Sequence, residues 1–166
     1  MSWQAFVDTQ LLVKTTTAGE VHNCVESGAL LSAADASAWA ATPNFTLRTY
    51  SVTVTEEDEV TTTNINYSEP AAVLHLFAQA GAAINDAGIR INGEKYYLVS
   101  YDAEKQTIYL KKNAGGACLA RTNQAIVFAS WNGGQSTAGA ETTPQNPGLC
   151  NQVTEKLADY LKSIGY

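Results

Sequence analysis

Trp3 and Phe6 near one end of the chain, Tyr160 and Tyr166 near the other, and Trp39 between them are the side chains best suited to binding chemistry. Proline-rich peptides are stiff left-handed helices before they dock, so holding them costs little conformational entropy. Their rings pack on flat aromatic faces, and Trp N–H and Tyr O–H groups can bond the carbonyls they leave free. The competing reading makes Trp3 and Phe6 the buried side of an amphipathic helix, although a tyrosine at position 166 has little reason to be core. Lys111, Lys112 and Arg121 read, on charge pattern alone, as solvated strand charges. His22 and Cys24 sit two residues apart, which places them on one face of a strand. A Cys–His nucleophilic pair is one reading of them, and a buried cysteine beside a partly exposed histidine is the other. The sequence contains no HExxH, GxGxxG, Walker or GxSxG pattern, and Gly115–Gly116 reads as a turn because no helix follows it. No catalytic centre, metal site or cofactor is expected.

The elements that must position these residues are readable from periodicity. Ser2 caps a first helix carrying Trp3, Phe6, Val7 and Leu11 on one face, and the run Thr15 to Gly19 ends it. Val21–Ser32 reads as one strand and Ser37–Ala41 as a second. Within 47–67, Tyr50, Val52 and Val54 alternate with polar residues, then four acids (Glu56 to Glu59) precede a second Thr- and Asn-rich strand, which predicts a projecting hairpin. Ser68 and Pro70 start a helix with Val73, Leu74, Leu76 and Phe77 inward, ended by Gly81. Five short strands follow, at Gly88–Ile91, Lys95–Tyr101, Thr107–Lys112, Ala117–Thr122 and Ala125–Trp131, with Asn92–Gly93 as a strong hairpin turn. The 132–147 segment is a Gly-, Ser-, Thr- and Pro-rich loop. A final helix over about 148–164 carries Val153, Leu157, Leu161 and Ile164 as a narrow apolar stripe. The expected fold is α+β: an antiparallel meander of six or seven strands flanked by the terminal helices.

Bulk properties set the outer limits. A chain of 166 residues that is 45% hydrophobic and 16% charged suits a single globular domain. Net charge is −6, yet without the four consecutive acids it would be −2, so the acidity is mostly one exposed tip and nucleic acid is not an expected partner. The three cysteines lack CxxC spacing, and no signal-peptide pattern or spanning apolar run occurs, which suggests a reducing cytoplasm.

Taken in order, several segments resemble the profilin family. MSWQAFVD at the start, Ser37–Ala38–Trp39–Ala40, Gly115–Gly116 followed by Arg121–Thr122–Asn123–Gln124–Ala125, and PGLCNQVTEKLADYLKSIGY at the end are each similar to profilin segments. The likeness covers 1–45 and 86–166, and the insertions at 47–67 and 132–147 are the departures. The acidic hairpin is similar in placement to the arm of apicomplexan profilins, which points to a protist source. The resemblance implies a fold with both terminal helices packed on one sheet face, so that Trp3, Phe6, Trp39, Tyr160, Leu161 and Tyr166 converge as a proline-peptide groove. Phe6 stands where profilins often carry Tyr, removing a donor. The resemblance also implies an actin face at Lys111, Lys112, Arg121, Asn123, Gly148, Asn151, Gln152, Glu155 and Lys156, with Tyr109 and the segment near Val73 as its apolar centre. Gln152 replaces a lysine of some relatives. The implied function is that of a monomeric, non-enzymatic, cytoskeletal protein of the cytoplasm. It would bind actin monomers, exchange their nucleotide, and join them to proline-rich factors such as formins. An adaptor using only the proline groove, with little or no actin binding, is the alternative. The few bases imply weak phosphoinositide binding, and the acidic tip reads either as a solubility device or as a further actin contact.

Overall fold

A computed structural model describes residues 2–12, 14–17, 20–134 and 145–166, without the side chains of 14–17 and 20–23. Ser2 caps α1 (Trp3–Phe6) by accepting from the Ala5 amide, and the helix widens into a π-helical turn over Val7–Leu11. It stops there. Lys14–Thr17 (β1) and Glu20–Asn23 (β2) form a small hairpin, where a helix end and a longer strand were expected. β-branched threonines that disfavour a helix are well placed in a strand pair. The chain breaks at Cys24–Glu26 before β3 (Ser27–Ser32) and β4 (Ala38–Ala41).

The expected arm is present as β5 (Thr49–Thr55) and β6 (Thr62–Ser68), paired in register from Thr49↔Ser68 to Thr55↔Thr62. Its tip is solvent-exposed, but its base is anchored. Tyr50, Val52, Val54, Ile65 and Tyr67 pack with Ala72, Ile84 and Ala87. Glu69, at the start of α2 (Glu69–Ala78), has no exposed surface. Its carboxylate accepts from the Arg48 amide at 3.0 Å, the Tyr50 hydroxyl at 2.8 Å and the Gly93 amide at 2.8 Å. One buried acid therefore ties the arm to a turn of the main sheet.

β7 (Ile89–Ile91), β8 (Glu94–Asp102), β9 (Thr107–Lys112), β10 (Gly115–Arg121) and β11 (Ala125–Asn132) form the meander. They extend through β3 and β4 into one antiparallel seven-stranded sheet, in the order β4-β3-β11-β10-β9-β8-β7. Asn92 and Gly93 turn β7 into β8 with φ of 55° and 77°, as that dipeptide predicts. Gly115 and Gly116 lie inside β10, not in a turn; the turn is Asn113–Ala114. They are glycines because the sheet is crowded there. A Cβ on Gly116 would stand 2.6 Å from the Leu110 carbonyl oxygen and 2.7 Å from the Trp131 ring nitrogen.

The two sheet faces differ. α2 covers bulky residues: Leu31, Phe128, Ile126, Leu119, Ile108 and Leu110. The other face is mostly small, with Ala40, Ala120, Ala125, Val127 and Ala129, and carries both α1 and α3 (Pro147–Ser163). α3 opens on an Asn146 cap and buries Val153, Leu157 and Leu161 one turn apart. Ile164, expected on this stripe, lies past the helix end and is 45% exposed.

Removing the buried Glu69 carboxylate takes the shared acceptor from three part-buried donors, at about 1–3 kcal/mol for each group that water does not reach. Glu69→Ala is expected to lower the free energy of unfolding by about 3 kcal/mol, read from urea denaturation, and to speed amide exchange in the 49–68 arm first.

Candidate functional site

The five aromatics named from sequence come together at the surface where the chain ends meet. Trp3 is the hub, with ring centroids 4.8 Å from Trp39, 4.9 Å from Tyr166 and 5.7 Å from Phe6. Phe6 continues to Tyr160 at 5.8 Å, and Trp39 reaches Tyr166 at 6.4 Å. Phe6 and Leu161 are buried and form the floor, whereas Tyr160 and Tyr166 are 47% and 36% exposed.

Three local devices hold this geometry. Gln4 donates its side-chain amide to the Ala41 carbonyl at 3.0 Å, seating α1 beside β4 and Trp3 beside Trp39. α3 ends in a Schellman turn: the Gly165 amide bonds Lys162, the Tyr166 amide bonds Leu161 at 2.9 Å, and Gly165 adopts φ +92°. That reversal swings Tyr166 back over Trp3. Gln124, at the β10–β11 turn, donates to the Gly165 carbonyl.

The residues named for an actin face do not all share a surface. β10 and α3 run side by side, and the Gly115 end lies at the start of α3, where Asn132 bonds Gln145. Arg121 lies at the other end of β10, about 20 Å along the strand from Gly115, and with Asn123 it stands beside Trp39 and Gln124. They do not join Gly148, Asn151 and Gln152. Lys112 is buried between Glu26 at 2.9 Å and Glu94 at 2.6 Å and offers no free charge to a rim. Burial alone would lower its pKa, but the two carboxylates outweigh that and hold it above the usual lysine value. Val73 is buried on the inner side of α2, packed against the far face of the sheet.

Tyr109 and Lys111 share one face of β9, and Tyr109 meets Glu155 of α3, the helix that also carries Asn151, Gln152 and Lys156. The Tyr109 hydroxyl donates to the Glu155 carboxylate, linking strand to helix. Burial, and then that carboxylate, push the Tyr109 pKa well above the usual tyrosine value. Tyr97 stands directly across from Lys111 in the β8–β9 ladder and is 61% exposed; Val99 beside it is 62% exposed. Sequence reasoning passed over these two. The available signal was the unbroken run Tyr96–Tyr97–Leu98–Val99, in which a half-buried strand must turn apolar side chains outward.

No group of three metal-ligating side chains occurs among the described residues. Cys24, Cys118 and Cys150 are free and buried. Burial raises all three thiol pKa values, the opposite of an activated nucleophile. The side chain of His22 lies outside the described residues. Most of the 132–147 loop, 135–144, lies outside them too.

A curled antiparallel sheet with both terminal helices on one face, closing an aromatic cluster between them, places the chain among small α+β proteins built on a single meander sheet. The profilin family model matches residues 1–166, and this chain belongs to the profilin family. It is 37% identical over 143 residues to profilin of Tetrahymena pyriformis, covering 86% of this chain and 90% of that protein. Among solved structures, profilin Ib of Acanthamoeba castellanii superposes with a TM-score of 0.66 at 27% identity, over 99% of this chain and 100% of that one. Mouse profilin IIa, in complex with a double repeat from the FH1 domain of mDia1, shares the fold with a TM-score of 0.62 at 16% identity, over the full length of both chains.

The buried thiols give a direct test of the Cys–His reading. In the native protein at pH 8, all three are expected to react with Ellman's reagent about 100-fold or more slower than in urea. A fast single thiol assigned to Cys24 by peptide mapping would restore a nucleophilic role.

Proposed function

We propose that this chain is a non-enzymatic regulator of actin assembly, working as one domain over 1–166 at the cytoplasmic cytoskeleton. It holds monomeric actin on the β8–β9 and α3 surface and proline-rich segments, such as those of formins, in the aromatic groove. The observation that carries the groove is the convergence of Trp3, Trp39 and Tyr166, tilted and edge-on to one another, with two exposed tyrosines at its lip. A peptide lying there meets ring faces below and indole and phenol donors at its sides. Oligoproline titration should give a saturable change in tryptophan fluorescence. Trp3→Ala should weaken binding about tenfold or more, since it removes the hub ring, with the melting curve used to check folding. A flat signal in the wild type would remove the groove.

For the actin surface, Tyr97 and Val99 supply exposed apolar area, while Lys111, Lys156, Gln152 and Asn151 supply a polar rim. Rim charges set orientation and association rate more than affinity. Burial of Lys112 and the remote position of Arg121 thin the basic rim among the described residues, so the apolar centre carries more of the actin contact and little basic surface is left for phosphoinositides. A pyrene-actin assembly assay separates the two readings. An actin binder suppresses spontaneous nucleation, and Tyr97→Ala reduces that suppression about tenfold, whereas an adaptor leaves nucleation untouched. Oligoproline binding should be unchanged by Tyr97→Ala, because the two surfaces lie on different parts of the molecule.

A further inference from the structure

Beyond Trp39 the aromatic groove opens into a cleft of about 320 Å³ with a different chemistry. Ser32, Trp39, Arg121, Asn123 and Gln124 line it. Trp39 belongs to both: one side of its ring meets Trp3, and the residue also walls the cleft. Gln124 ties the cleft to the groove at the other corner through its bond to Gly165, the neighbour of Tyr166. Arg121 is half-buried at the end of β10, and its guanidinium makes no hydrogen bond or ion pair among the described residues. Asp35, in the same turn as Ser32, spends a carboxylate oxygen on the amide and hydroxyl of Ser37.

A half-buried, unpaired guanidinium beside two carboxamides is a donor-rich pocket suited to a carboxylate. We propose that this cleft reads the residue flanking the proline run, and that the chain prefers proline-rich peptides carrying an aspartate or glutamate at one end of the run. The inference rests on the groove reading. A left-handed proline helix advances about 3.1 Å per residue, and a peptide lying across Trp3 that continues past Trp39 carries its flanking residue into the cleft that Trp39 and Arg121 both line. Binding specificity would then be set by Arg121, a residue remote from the actin surface.

The test compares fluorescence titrations of three synthetic peptides: a proline decamer flanked by glutamine, and the same decamer preceded or followed by aspartate. Wild-type protein should bind one aspartate peptide about three- to tenfold tighter than the glutamine peptide, and the advantage should shrink in high salt. Arg121→Gln should abolish the preference while leaving glutamine-peptide affinity unchanged, and Arg121→Lys should retain part of it. Equal binding of all three peptides by the wild type, or a preference that survives Arg121→Gln, overturns the proposal while the groove stands. No binding of any peptide overturns the groove as well. Vesicles of neutral lipid with and without phosphatidylinositol bisphosphate form a parallel arm. Arg121-dependent capture by the charged vesicles alone, without a peptide preference, reassigns the cleft to a lipid headgroup and also overturns the proposal.

Discussion

Close packing of two terminal helices against one sheet face is the constraint from which the rest of this molecule follows. Helices approach a sheet closely only where the strands present little volume, and here the shared face offers alanine at 40, 120, 125 and 129. Val7 and Leu11 from α1 and Val153, Leu157 and Leu161 from α3 fill the remaining space. Larger residues on these strands would push the helices apart and separate Trp3 from Tyr166. The opposite face shows the complementary solution, with large aliphatic and aromatic residues meeting one short helix. A groove made of both chain ends thus depends on residues that never touch its ligand.

Two buried ionic centres perform a second kind of positioning. Glu69 joins the acidic arm to the β7–β8 turn, and Lys112 joins the loop before β3 to β8 through Glu26 and Glu94. Each is satisfied by several partners, which is the condition under which a buried charge is tolerated. Both fix the relative placement of segments distant in sequence. Lys112 also shows why charge lists mislead. Adjacent residues in a strand point to opposite faces, so Lys111 and Lys112 have opposite fates: one reaches solvent and the other is consumed inside.

The helices, the arm and the meander were legible because their signals are local. Caps at Ser2 and Ser68, the Asn92–Gly93 turn and the 3.6-residue stripe of α3 each act within a few residues. The β1–β2 hairpin was missed because a threonine run reads equally as a helix stop and as strand. Gly115–Gly116 was misread because the need for glycine there arises from Leu110 and Trp131 on neighbouring strands. Tyr97 and Val99 were hidden by their own hydrophobicity, since an apolar run in a strand ordinarily signals burial.

By itself the sequence determined which side chains could bind: aromatics at both ends and bases along the meander. It also determined the reversal that aims Tyr166, because Ile164–Gly165–Tyr166 closes a helix by backbone geometry alone. Tertiary structure decided which of those side chains share a surface. Strand direction carried Arg121 to the groove end of the molecule while Lys111 stayed beside α3, and the pleat sent Lys112 inward. These outcomes depend on distances between residues far apart in the chain, which spacing along it does not encode.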